Sequence, residues 1–216
     1  MGYSAVVFDL DGTLLDTLDD LADSVNAALR ARSLEEHPTA AYKVFVGEGV
    51  ARLVEQAFPE REWGGGLIDL RVNEVRAEYA KRMYDKTRPY PGVAELLGGL
   101  AARGVPMAVL SNKPQEYTQK TVDKLLADWK FALVRGALPD VPLKPDPAGA
   151  LALAKELGLP PEKFLYLGDT GTDMKTATAA GMYAVGALWG FREEAELRDN
   201  GAQKLIRRPP ELLQLL

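Results

Sequence analysis

The sequence predicts an α/β protein built on a doubly wound, Rossmann-like parallel sheet with an α-helical domain inserted near its start. Three observations carry this. Short, wholly apolar runs rich in β-branched residues alternate with segments of helical periodicity, the pattern of strands buried on both faces of a parallel sheet. One long stretch, 17–87, keeps helical spacing and contains no strand pattern. Polar, mostly acidic motifs follow directly on several of the apolar runs, at the sheet edge where open α/β folds bind ligands.

In chain order, Ala5-Val6-Val7-Phe8 reads as the first buried strand, and it ends abruptly in acid at Asp9. The inserted segment then shows apolar residues at Leu21, Val25, Ala28 and Leu29, and again at Val50, Leu53, Val54, Ala57 and Phe58, the face of a 3.6-residue period. Gly64-Gly65-Gly66 separates two of its helices; Arg88-Pro89-Tyr90-Pro91-Gly92 is a stiff return, since each proline fixes φ and disfavours helix before it. The expected division is therefore a core of 1–16 and 88–216 with a helical domain of 17–87. Val93, Leu96, Leu97 and Leu100 mark a helix stopped at Gly104, and Pro147 opens another. Further strands are expected at 105–110, 164–167 and 182–188, then an edge strand at 204–206 and a closing helix from Pro209.

Composition narrows the function. The apolar fraction of 47% and charged fraction of 26% are ordinary globular values. Cysteine is absent, which removes disulfides, thiolate zinc and a cysteine nucleophile together and leaves oxygen as the donor for any metal. A net charge of -5 argues against nucleic acid as a partner. No apolar run reaches the roughly 18 residues of a membrane span, and 1–7 lack a basic, then apolar, leader pattern; a cytoplasmic protein that does not engage membranes is expected.

In Asp9-Leu10-Asp11-Gly12-Thr13 two carboxylates stand two positions apart just past a strand, so that extended geometry points both to one side. Such a pair serves chemistry in which one carboxylate attacks and the other moves a proton. Alone, an Asp-x-Asp is more often a turn or cap. Here Ser111-Asn112-Lys113-Pro114 follows the second expected core strand, and Gly168-Asp169-Thr170-Gly171-Thr172-Asp173 the third, with Lys144-Pro145 between them. A hydroxyl with neighbouring N–H groups suits a phosphate oxygen, and Lys144 supplies positive charge. His37, the only histidine, stands beside Pro38 and is expected at a surface.

These motifs, in this order and over nearly the whole chain, resemble the haloacid dehalogenase (HAD) superfamily. The resemblance implies Asp9 as nucleophile and magnesium ligand, and Asp11 as general acid/base with its carbonyl on the metal. It further implies Ser111, Asn112 and Lys144 on phosphate, Lys144 beside Asp9, Asp169 on Mg2+, and Asp173 supporting it. The helical insert resembles the superfamily's cap. Tyr42 to Val54, which contains VGEGVARLV, Ser111-Asn112-Lys113-Pro114, Pro91-Gly92-Val93 and Leu188-Trp189-Gly190 look like phosphoglycolate phosphatases. That similarity implies a small phosphorylated metabolite, first 2-phosphoglycolate; its carboxylate needs a positive or N–H-rich contact, which Lys43, Arg52 or the Gly47-Glu48-Gly49 turn of the cap could supply. A mutase resembling β-phosphoglucomutase or a pyrophosphatase would share the same core residues, and a phospho-acceptor signalling module would share the acidic cluster.

Overall fold

Alternation along the central strands sets the architecture of the computed structural model, which describes residues 2–216. The chain runs through β1 (Ala5–Phe8), β2 (Leu15–Asp16), α1 (Leu18–Ala31), α2 (Tyr42–Phe45), α3 (Val50–Ala57), α4 (Glu60–Trp63), α5 (Ile68–Arg82) and β3 (Arg88–Pro89). It continues through α6 (Val93–Ala102), β4 (Met107–Pro114), α7 (Gln115–Leu125), β5 (Leu133–Ala137), α8 (Ala148–Glu156), β6 (Phe164–Gly168), α9 (Gly171–Ala179), β7 (Tyr183–Ala187), α10 (Glu194–Asp199) and β8 (Lys204–Ile206). Two compact units result: Met1–Leu15 with Pro89–Leu216, and Asp16–Arg88.

In the first unit a six-stranded sheet has the order β5-β4-β1-β6-β7-β8, and every neighbouring pair is parallel. Val6 and Phe8 join one apolar cluster with Leu96, Leu97 and Leu100 of α6. Ala5 and Val7 join another with Leu153 of α8 and Met174 of α9. Successive side chains of one strand thus feed both faces, and helices cover both, as the apolar run required. The order reverses around β1: the chain builds outward through β4 and β5, then crosses to β6 and builds outward again through β7 and β8. The carboxyl ends of β1, β4 and β6 therefore meet at the switch point of the sheet.

Two details depart from the expectations. The edge strand β5, Leu133-Val134-Arg135-Gly136-Ala137, has only Gly136 fully buried, so it carries neither a continuous apolar run nor a clear alternation. The closing segment Pro209–Gln214 is a 3-10 helix, consistent with two consecutive prolines at its start. Motif residues 111–114 also belong to β4 itself, beyond a register shift between Leu110 and Pro114.

The second unit is helical. α1 and α5 are its longest elements, and Leu29, Val54 and Val75 are among its buried residues. Asp20, fully buried on α1, accepts from the main-chain N–H of Lys86 (3.0 Å) and Thr87 (2.8 Å) and from the Thr87 hydroxyl (2.6 Å). This ties the end of the insert back to its beginning. Asn26 bonds both main-chain groups of His37 and receives the Tyr42 hydroxyl. The half-buried His37 ring packs edge-on against Tyr42 and Phe45, with Nε2 2.8 Å from the Ala57 carbonyl. Among the described residues no helix is long and apolar enough to cross a membrane.

Candidate active site

Asp9 is the first residue past β1, and its N–H donates to the Leu167 carbonyl of β6 (2.9 Å). The chain then turns tightly: Leu14 and Leu15 both donate to the Leu10 carbonyl (3.0 Å), and Gly12 donates to Leu15 (2.8 Å). Gly12 has φ +89°, and a Cβ there would collide with the Asp169 carboxylate. Both facts demand glycine. Gly190 faces the same constraint from the other side, since its Cβ would also strike Asp169. Gly168 makes room for Asp173 in the same way.

Carboxylate oxygens of Asp9, Asp169 and Asp173 lie within 4.8 Å of one another, and all three residues are buried. Lys144, in the segment between β5 and α8, donates from Nζ to Asp9 Oδ1 (2.7 Å) and Asp173 Oδ1 (2.6 Å). Asp169 accepts at Oδ1 from the Thr13 hydroxyl (2.8 Å) and at Oδ2 from the Phe191 N–H (2.7 Å). Asp173 is held on every side. Its Oδ2 takes the N–H and hydroxyl of Thr170 in a capping box that starts α9, and the Tyr166 hydroxyl reaches Oδ1 at 3.3 Å. It both caps the helix and orients the lysine.

The charges in this pocket do not balance. Burial, then the charge of Asp173, holds the Asp9 carboxyl well above the ordinary range despite Lys144. Burial and Asp173 likewise raise Asp169 to about 7, against the opposing donors Phe191 and Thr13. Lys144 has the opposite problem: burial disfavours its charge, but Asp173 and Asp9 outweigh it and hold the ammonium firmly protonated. Three carboxylates against one ammonium leave two negative charges in excess, and all donors are hard oxygens. That set fits a divalent cation of the magnesium type, which prefers carboxylates and water.

Asp11, two residues on, is nearly buried and accepts at Oδ1 from Lys113 Nζ (2.7 Å), with side-chain exposures of 13% and 5%. Ser111, at the end of β4, accepts the Lys113 N–H (3.2 Å). Asn112 uses its side-chain amide on Lys144, donating to its carbonyl (3.0 Å) and accepting its N–H (2.9 Å). Its side chain thus anchors the lysine segment. Sequence reasoning also passed over Lys113, although a charged residue at the end of an apolar strand was a visible signal, and over Thr13, whose carbonyl further accepts from Trp189 Nε1 (2.9 Å).

The expected cap contacts lie in the helical unit, and both are exposed. Arg52 pairs with Glu55 (2.9 Å) and approaches Glu48 (3.8 Å). Lys43 sits on α2 with no ion-pair partner among the described residues.

Comparison with known proteins identifies the family. A family profile described as haloacid dehalogenase-like hydrolase matches residues 3–181. The chain belongs to that family and is an enzyme of the hydrolase class. It is 38% identical to the phosphoglycolate phosphatase of Rhodospirillum rubrum over 199 residues, 88% of this chain and 81% of that one. Over 211 residues it is 31% identical to the phosphoglycolate phosphatase of Aquifex aeolicus, 98% and 95% of the two chains. A solved structure from Lactobacillus delbrueckii superposes with a TM-score of 0.87 at 31% identity, covering 99% of this chain and 98% of that one.

Proposed function

We propose that this phosphomonoester hydrolase cleaves a small phosphorylated carboxylate, first 2-phosphoglycolate, through an aspartyl-phosphate on Asp9 and with Mg2+ as cofactor. The observation that carries the reading is the pairing of two aspartates of different standing past β1: Asp9, buried with Asp169 and Asp173 around Lys144, and Asp11, outside that cluster beside Lys113.

In the first step an Asp9 carboxylate oxygen attacks phosphorus while the bond from phosphorus to the ester oxygen breaks. Asp11 gives its proton to that oxygen, and the alcohol leaves. Asp11 then takes a proton from the water that attacks the aspartyl-phosphate, inorganic phosphate departs, and Asp9 is restored. Lys144 offsets repulsion between Asp9 and the phosphoryl oxygens, and Ser111 offers its hydroxyl to one of them. Asp9, the Asp11 carbonyl and Asp169, with Asp173 behind, would hold Mg2+, which would neutralise charge on the phosphoryl group. Asn112 serves by holding the Lys144 segment in place. The helical unit, 17–87, is assigned the role of a cap that excludes water during transfer. The names of the relatives support the substrate class.

Phosphate release from 2-phosphoglycolate, β-glucose 1-phosphate and pyrophosphate, with and without Mg2+, tests the proposal. Metal-dependent release with preference for 2-phosphoglycolate is expected. Isomerisation of the sugar phosphate without release would make the chain a mutase, and a stable phosphoprotein without turnover would make it a signalling module.

A further inference from the structure

We infer that Lys113 is the residue that recognises the substrate's carboxylate, and that it does so from the core beside the general acid. The inference deepens the phosphatase reading above and rests on it. Lys113 is not a solvated surface lysine: its side chain is 5% exposed and its ammonium sits 2.7 Å from Asp11 Oδ1. Its main chain is held in place. The N–H goes to Ser111 Oγ, and the carbonyl accepts from Thr118 Oγ1 at 2.9 Å. On β5 Gly136 allows the close approach, since a Cβ there would strike Thr118 Oγ1 and the Lys113 carbonyl. A lysine so constrained, at a register shift in β4, is a built feature of the site.

Substrate chemistry makes the position informative. Asp11 must touch the ester oxygen to protonate it. In 2-phosphoglycolate that oxygen sits on a methylene whose only other substituent is the carboxylate, so a cation bonded to Asp11 lies within reach of the carboxylate as well. The Lys113 ammonium carries three donor hydrogens, enough to bond Asp11 Oδ1 and a substrate carboxylate together. The class recognised is thus a phosphate ester with a carboxylate on the carbon that bears the ester oxygen.

Ethyl phosphate, which replaces the carboxylate by a methyl group, is the matched probe. For Lys113→Met, kcat/KM with 2-phosphoglycolate should fall about 100-fold, mostly in KM, against about 10-fold or less with ethyl phosphate, as expected when one partner of a buried charge pair is removed. Lys113→Arg should restore most of the preference. Glycolate, the product, should inhibit ethyl phosphate hydrolysis by the wild type and lose that effect in Lys113→Met; if the Met variant does not fold, Lys113→Gln carries the same comparison. Equal losses on both esters would reduce Lys113 to a positioning residue for Asp11 and overturn the inference, as would an unchanged preference. A wild-type enzyme that hydrolyses ethyl phosphate at least as well as 2-phosphoglycolate would overturn the substrate reading along with it.

Discussion

The two units of this chain hold their charges in opposite ways. In the α/β unit, Asp9, Asp169, Asp173, Lys113 and Lys144 are buried, and they come from the ends of β1, β4 and β6, from α9 and from the segment before α8. In the helical unit most cations run along exposed helix surfaces: Arg82 and Lys81 pair with Glu78 one turn away, and Arg52 with Glu55. Buried charges need partners or a cation, and the core supplies too few cations for its own carboxylates. Exposed pairs are screened and contribute little. The difference separates a pocket of unbalanced buried charge from a unit whose cations mostly pair at its surface.

The largest expected effect lies in the core. Asp9→Asn should lower kcat by roughly 10⁴-fold or more, the scale for loss of a nucleophile, while circular dichroism and thermal unfolding stay native-like. Retained turnover in that variant would remove Asp9 from the chemistry and dissolve the contrast between the units. The counterpart in the helical unit is structural. Asp20→Ala strands the N–H of Lys86 and the N–H and hydroxyl of Thr87 without their acceptor, which should cost about 3 kcal/mol of stability in urea titration. An unchanged urea midpoint would mean that solvent reaches these groups and that the Asp20 tie is dispensable. A smaller change is expected from Thr13→Val, which removes a donor from Asp169 without touching the cluster's charge. Mg2+ affinity, read by calorimetry and by activation curves, should drop about 10–100-fold; unaltered affinity would show that Asp169 needs no orienting partner.

Legibility in the sequence follows the same division. Asp9, Asp11 and Asp169 stand out because acids directly after apolar strands break the buried pattern, and Asp173 because it closes the second acidic motif. Lys144 was found by motif order, and the structure puts its ammonium on Asp9 although it lies in a segment with no regular element of its own. The edge strand β5 escaped notice because half-buried Leu133, Val134 and Arg135 leave no periodic pattern to read. Lys113 escaped for a different reason. Which carboxylate a strand-end lysine meets depends on the register shift after Leu110, and no local residue type encodes that. Contacts within the insert were equally hidden, since Asp20 reads as one more acid at a helix start until the return of the chain at Thr87 is known.

Arg52 provides the finest test of the contrast. It is half exposed, already shared between Glu55 and Glu48, and follows a glycine turn at Gly47 and Gly49 with positive φ. If the substrate carboxylate is met by Lys113, Arg52 has no large task in recognition, and Arg52→Gln should lower kcat/KM for 2-phosphoglycolate by about threefold or less, with a Tm shift of about 2 °C or less as expected for an exposed pair. Removing a cation from the helical surface also weakens general attraction of the anionic substrate, so a modest, salt-dependent rise in KM is compatible with that outcome. A different result would reverse the assignment: a loss specific to 2-phosphoglycolate and absent with ethyl phosphate, as large as that of Lys113→Met, would place carboxylate recognition in the helical unit. Lys113 would then serve only to orient Asp11, and the two units would divide the work differently, with chemistry in one and selectivity in the other.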